Sequence, residues 1–457
     1  VLATEPIGID DDFFALGGDS LAALEMIVAV GERLGRTLGE DLAFTNPTPR
    51  GLAEAIELLV ADVDGLTGDA AVDPSDRSGV ADLSAYRSEP DTPPTRSDGE
   101  LAILHEQADR VDQVMYNTAR LYLVDGPVDG ERFARAVRDV AACHQPLSWS
   151  FANPRRPLAL DQAVDCSIGG DPIGAGQLDD LVSSVQRPPF DLENGPLLRV
   201  VVRPVDDGRT AVVLAFHHAS GDGGSFDVLW RQVDRRLSDG RLPELGVDYA
   251  GLTRWQRDRD TGSHRAYWLD QAGTEAPASL AMASSGSDPD GYISRTSPIT
   301  PDHLRSTVRA TPAAVGLAAA AAVVDAYADG RDIEIGLVTS TRDHPAADDL
   351  VGYLVNTVPV RLDLSVEPSL GRLTTTANGS FGAALAHRSY PRARMQADRR
   401  QAGRPILAGE VMVAYEEVVD LGLDGTTVRQ EVAWNGASVA PLTFFVVVCG
   451  PCTPARM

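Results

Sequence analysis

The chain has 457 residues, with 40 basic and 66 acidic side chains and a formal net charge of −26. That balance excludes a nucleic-acid surface or an anionic membrane as the main partner. The length exceeds one ordinary domain and allows two or three. Hydrophobic residues make up 43% of the chain, enough for sizeable cores, and every basic residue is Arg. Cys143, Cys166, Cys449 and Cys452 are too few for a disulfide scaffold. No apolar run is long enough to span a membrane, and the N-terminus lacks a charged-then-apolar signal pattern. A soluble, cytoplasmic protein is the expectation. The chain starts at Val1 rather than at Met, so a piece of a longer protein is expected.

Residues 1–62 read as a small helical unit. Gly17 and Gly18 permit a tight turn. Asp19 and Ser20 then open a helix whose apolar face carries Leu21, Leu24, Ile27 and Val28. A serine in that place is either an N-cap or an attachment point for a phosphate, which a helix N-terminus favours. Thr48 followed by Pro49 reads as an N-cap with Pro at the first helical position, ahead of the stripe Leu52, Ile56 and Leu59. Three Arg stand against eleven Asp and Glu in residues 1–60, a surface suited to Arg-bearing partners or simply to solvent. Residues 63–98, rich in Asp, Ser, Gly, Pro and Thr, read as a flexible linker.

Farther on, Leu121, Tyr122, Leu123 and Val124 read as a strand, and Phe133, Ala136, Val137 and Val140 as one face of a helix. Residues 210–216 form an apolar run expected to be a buried strand. Phe226, Leu229 or Trp230, Val233 and Leu237 recur at helical spacing. Between these two elements stand His217, His218, Asp222 and Gly223. Neighbouring side chains on a strand point to opposite faces, so only one of the two histidines can enter a given cavity. The same alternation makes them a poor metal pair. Taken alone, the pair is best explained as structural. Residues 441–448 read as a strand. The Cys449-Gly450-Pro451-Cys452 tetrapeptide lacks the following helix that a redox motif needs, so no redox role is expected.

Residues 217–223 resemble the His-His-x-x-x-Asp-Gly motif of the condensation domains of nonribosomal peptide synthetases, which are similar in fold to chloramphenicol acetyltransferase. Companion segments stand in the family's order. Residues 101–105 occupy its opening motif in degraded form. His144, Leu147 and Phe151 match its next segment, from which Gln145, Ser148 and Trp149 depart. Residues 190–199 and 248–256 follow. Gly352, Val355, Asn356 and Thr357 fit Gly-x-x-Val-Asn-Thr, and His387, Tyr390 and Pro391 fit His-x-x-Tyr-Pro. Residues 12–21 resemble the Gly-Gly-Asp/His-Ser core of a peptidyl carrier domain.

The resemblance implies a small all-α carrier bundle over 1–62, a linker over 63–98, and a two-lobed α/β (α+β) condensation domain over 99–457, its C-terminal lobe expected to be incomplete. It implies that Ser20 carries 4'-phosphopantetheine and presents a donor acyl thioester. The condensation domain would join this to an acceptor aminoacyl thioester as an amide. His218 takes the catalytic position, as a base or as an orienting group. The backbone N–H near Gly223 would meet the developing oxyanion. Asp222 is expected to pair with Arg342 in a structural role, His217 to be internal, and Asn356 to line or brace the channel. No metal is expected. The implied partners are a downstream acceptor carrier, an upstream adenylation domain and a phosphopantetheinyl transferase. Two other readings stand beside this one. Ester formation or epimerisation could use the same scaffold, although the Val-Asn-Thr segment favours condensation over epimerisation. The chain could also be a non-catalytic platform that recruits a partner enzyme.

Overall fold

The computed structural model describes residues 8–11, 13, 26–27, 30, 48–54, 56, 83–88, 95–108, 114–151, 156–259, 261–280, 311–365, 369–407, 409–418, 421–433 and 440–449. The expectations for Ser20, for Cys452 and for most of the linker lie outside them. In the N-terminal unit, Phe13, Ile27, Leu52 and Ile56 are buried. The Thr48 hydroxyl accepts from the Gly51 N–H at 3.0 Å, the N-cap that the Thr-Pro pair predicts.

Ten strands are described: β1 (Asn117–Val124), β2 (Val164–Ile168), β3 (Leu198–Pro204), β4 (Thr210–His217), β5 (Asp332–Ser340), β6 (Val355–Asp363), β7 (Val411–Val418), β8 (Leu421–Leu423), β9 (Thr426–Ala433) and β10 (Leu442–Cys449). They form two sheets, ordered β2-β3-β4-β1-β9-β8 and β10-β7-β5-β6. Packed on and between the sheets are α1 (Asp98–Ala108), α2 (Gly130–Ala141), α3 (Leu178–Gln186), α4 (Gly223–Ser238), α5 (Tyr249–Asp258), α6 (Gly262–Gln271), α7 (Pro312–Asp325), α8 (Leu370–Ala386) and α9 (Arg392–Gln401).

All eight residues of β4 are buried, because both faces of its sheet are covered. On one face, Phe133, Val137 and Val140 of α2 and Phe226, Leu229 and Val233 of α4 pack against Val212, Leu214 and Phe216. On the other, Leu178, Val182 and Val185 of α3 meet Leu121, Leu123 and Val213. Each such side chain contributes about 1.5–3 kcal/mol when fully buried. The second sheet has its own core, in which Ile333, Ile335 and Leu337 of β5 meet Val358 and Val360 of β6 and Leu317 and Ala321 of α7.

The expected strand at 121–124 reaches back to Asn117, since β1 pairs antiparallel with β4 along its whole length. The polar Asn117, Thr118 and Arg120 hide that first half from a reading by hydrophobicity. The two lobes share strands. The chain leaves the second sheet at β7, adds β8 and β9 to the first sheet beside β1, and returns as β10, parallel to β7. Arg120 of β1 reinforces the crossing with an ion pair to Glu416 of β7 at 2.7 Å.

The stretch expected to be a linker ends in a docked segment. Leu83 is buried against Val247, Tyr249 and Leu252. The Asp248 carboxylate accepts the Ser88 N–H and the Ser88 hydroxyl, both at 2.9 Å. The departures near His144 are accommodated. Gln145 Oε1 accepts the Ala250 N–H at 3.0 Å, and the Ser148 hydroxyl donates to the His144 carbonyl at 2.9 Å.

Candidate active site

β4 ends at His217, and a single 3₁₀ turn, His218–Ser220, turns the chain toward α4. The two histidines part at this point. His217 has no exposed surface. Its Nδ1 accepts the Ala219 N–H at 3.1 Å, and its Nε2 meets the Gln107 side-chain oxygen. With Nδ1 accepting, Nε2 carries the hydrogen and donates. Burial, and then the neighbouring His218, push the His217 imidazole down to about 3, so it stays neutral. His218 Nδ1 lies 2.9 Å from the Gly221 carbonyl. A carbonyl only accepts, so Nδ1 is the donor and Nε2 keeps its lone pair. The ring stands edge-to-face with Tyr353, centroids 5.2 Å apart.

Four residues past His218, Asp222 caps α4 and closes the junction between the lobes. Its Oδ1 accepts from the Ser225 N–H at 2.8 Å, the Ser225 hydroxyl at 2.7 Å and Arg342 Nη2 at 2.8 Å. Its Oδ2 accepts the Leu354 N–H at 2.9 Å. Arg342 in turn donates from Nη1 to the Ala347 and Leu350 carbonyls. Burial alone would raise the Asp222 carboxyl. The Arg342 guanidinium and these hydrogen bonds outweigh it and hold the group below its usual value. Gly352 belongs to the same junction, where a side chain would have its Cβ only 2.2 Å from the Tyr249 ring.

Beside His218 lies a cavity of about 320 Å³. Its wall is drawn from α1, α5, β5, β6, β7 and residues 389–394, and it includes Tyr353, Asn356 and Arg392. Asn356 is held by its own bonds. Its Nδ2 donates to the Arg388 and Tyr390 carbonyls at 2.8 and 2.7 Å, and its Oδ1 accepts the Arg392 N–H at 3.1 Å. Of the residues singled out by sequence, the structure therefore brings His218 and Asn356 to the cavity. It sets His217, Asp222 and Arg342 behind that wall. Gly223 is not on the wall. It opens α4 on the side of Arg120 and Glu416, whose charged atoms a Cβ there would meet at 3.5 and 3.2 Å. Tyr353 and Arg392 were missed by sequence reasoning, although each adjoins a matched residue. Among the described residues no group of three or more His, Cys, Asp or Glu is arranged to hold a metal, and no helix is long and apolar enough to cross a membrane.

Two lobes, each with its own sheet, meet at a cavity whose wall includes His218. The Condensation domain family matches residues 104–418, and the Phosphopantetheine attachment site family matches residues 1–56. The chain belongs to the condensation-domain family of nonribosomal peptide synthetases, joined to a carrier unit that bears covalent 4'-phosphopantetheine.

Among its relatives is tyrocidine synthase 2 of Brevibacillus parabrevis, 26% identical over 86% of this chain and 11% of that protein. Another is the probable non-canonical nonribosomal peptide synthetase CymA of Salinispora arenicola, 26% identical over 94% of this chain and 6% of that protein. The chain thus spans about a tenth or less of the length of these relatives. Similar folds include the starter condensation domain of rhizomide synthetase RzmA solved with C8-CoA (TM-score 0.62, 22% identity, 78% of this chain and 85% of that one). The X-domain solved in complex with OxyB from teicoplanin biosynthesis is also similar (TM-score 0.58, 18% identity, 79% and 85%). Ser20 lies outside the described residues, so the fit of the phosphopantetheine arm is testable only at its far end. There the cavity volume and the mixed apolar and polar wall suit a bound small-molecule group.

Proposed function

We propose that the chain is a carrier–condensation unit in which Ser20 (1–62) delivers the donor and the 99–457 domain forms an amide with an acceptor amine. The arm, when bound, supplies an acyl group activated as a thioester. The chain's own residues do the rest. Gly221 fixes the His218 tautomer. His218 Nε2 would then accept a hydrogen bond from the acceptor amine and take its proton as the new C–N bond replaces the thioester C–S bond, and that proton would leave on the departing thiol. Asp222, Ser225 and Arg342 hold the turn that carries His218, and the cavity wall confines the reacting ends, which removes much of the entropy cost. The observation that carries this reading is the single unused nitrogen of His218, a residue of the cavity wall. Nothing in the position of Gly223 supports the oxyanion role, and no donor is assigned to it. The partners of this reading are an upstream adenylation domain, a downstream acceptor carrier and a phosphopantetheinyl transferase, with the cytoplasm as the compartment.

One observation favours a second reading, a platform that recruits another protein: the X-domain solved with OxyB has a similar fold. One experiment separates the two. Ser20 is loaded with an aminoacyl-pantetheine, a loaded acceptor carrier is added, and dipeptide is sought by mass spectrometry. Dipeptide from the parent and none from Ser20→Ala supports the enzyme. A loaded parent that forms no dipeptide supports the platform.

A further inference from the structure

The charged groups on the cavity wall are Asp98, Glu106, Arg257, Arg392 and Arg394. Four of them are accounted for. Asp98 bridges Arg257 and Arg394, each at 3.1 Å. Glu106 accepts the Tyr116 hydroxyl at 2.8 Å. Arg392 is different. Its backbone N–H binds Asn356, yet its guanidinium makes no hydrogen bond or ion pair among the described residues. Glu334, a buried carboxylate whose charge is felt at Arg392, is paired with Arg399 at 2.9 Å. Burial lowers the Arg392 guanidinium from its usual value, against the opposing pull of Glu334 and Glu106.

Arg392 is half-buried, and a partly desolvated guanidinium without a hydrogen-bond partner gains from an anion that supplies one. Its place in a substrate cavity points to a ligand that compensates it. The guanidinium lies over Gly409, itself a wall residue, where a Cβ would stand 3.3 Å from Nη2. It is also within electrostatic range of Tyr353, whose ring meets His218. Arg392 therefore shares the cavity wall with Tyr353 and with His218, at which the acyl end would react. The phosphate of a pantetheine arm lies at the opposite end of that arm from the acyl group, so the anion expected here belongs to the substrate residue.

We infer that Arg392 is a specificity-determining residue that binds a carboxylate on the side chain of the aminoacyl group held in this cavity, selecting aspartyl- or glutamyl-type substrates over their amides. This rests on the proposed function only in taking the cavity as the seat of an aminoacyl-pantetheine. An Arg–carboxylate contact strengthens the match of charge and fork geometry. Hydrogen bonds to charged groups of this kind correspond to roughly a 10- to 100-fold preference.

The test is a binding measurement, independent of turnover. Unreactive amide-linked aspartyl- and asparaginyl-pantetheine, each with and without the 4'-phosphate, are titrated into the full chain by calorimetry, for the parent, Arg392→Gln and Arg392→Lys. The expected result is a parent preference for the aspartyl probe of at least 10-fold, with or without phosphate. That preference should fall to about equal affinity in Arg392→Gln and be partly restored in Arg392→Lys. Unfolding midpoints of all three confirm that folded proteins are compared. A parent that binds both side chains equally overturns the inference alone. A loss in Arg392→Gln that follows the phosphate rather than the side chain assigns the guanidinium to the arm and also overturns it. A parent that binds no probe overturns both the inference and the assignment of the cavity.

Discussion

The Asp222 junction and the His218 wall lie four residues apart and are built on opposite terms. At the junction both oxygens of a buried carboxylate are bonded, by a guanidinium, a hydroxyl and two backbone N–H groups. At the wall, His218 has one nitrogen bonded and one unused, and Arg392 has a guanidinium with no protein partner among the described residues. Filled valence fixes geometry, and open valence toward a cavity is what chemistry can use. The difference separates residues that hold the site from residues that act in it, although both kinds stand in the same short motif.

The comparison breaks most visibly at the junction. Removing one partner of a buried pair costs about 3–5 kcal/mol, because the other charge is left uncompensated. Asp222→Ala and Arg342→Ala should each lower the unfolding free energy by that amount in chemical denaturation, and the double variant should cost less than the sum of the two. The Asp222 carboxyl is held below its ordinary value in the folded chain. Its stabilisation is therefore present above the usual carboxylate range and is lost as pH falls through the depressed folded value. The gap between parent and Asp222→Ala should close in acid. Single variants as stable as the parent would move Asp222 from support to chemistry.

A second buried carboxylate sharpens the contrast. Glu100 is 3% exposed and accepts the Ser97 N–H in a capping box, but it makes no ion pair among the described residues. Burial raises it to about 7. Its folded value lies above its unfolded one, so the parent loses stability as pH rises between the two, by about 1.4 kcal/mol per unit. Glu100→Gln keeps the capping box and has no proton to lose. Its stability relative to the parent should rise by roughly 2–3 kcal/mol between pH 5 and pH 7. A pH-independent difference would show that Glu100 is not a buried acid of this kind.

The smaller test concerns the other histidine. His217→Ala leaves the Gln107 side chain and the Ala219 N–H without their partner, at a cost of about 1–3 kcal/mol. It should lower the unfolding midpoint while amide formation per folded molecule stays near that of the parent. Equal loss of activity in His217→Ala and His218→Ala, at equal stability, would erase the distinction between the two.

The sequence carried the elements whose burial is periodic. The run at 210–216 and the helical stripes at 133–140 and 226–237 are set by local pattern, and they fold as β4, α2 and α4. The front of β1 escaped notice because Asn117 and Arg120 are buried polar residues whose partners lie far along the chain: the Gln186 carbonyl for the first and Glu416 for the second. Strand alternation foresaw that the two histidines would part, but no local signal says which one faces the cavity. That depends on the 3₁₀ turn starting at His218. The Asp222–Arg342 pair came from family resemblance alone, since nothing near Asp222 encodes a partner 120 residues away. The backbone N–H near Gly223 was read as an oxyanion donor because glycine permits close backbone approach. In the fold Gly223 opens α4, and a Cβ there would meet Glu416 and Arg120. Arg392 was invisible for a related reason: its character lies in the lack of a protein partner, which a sequence cannot display.

The most direct test of the account is the rate of amide formation by His218→Ala, measured in a single turnover with Ser20 loaded and an aminoacyl acceptor in excess. Loading of Ser20 and the unfolding midpoint are read on the same sample. General-base assistance is worth roughly 10²- to 10⁴-fold. The account predicts a loss of that size with loading intact and the midpoint close to that of the parent. Dipeptide formation at the parental rate would contradict it and leave the cavity working by positioning alone.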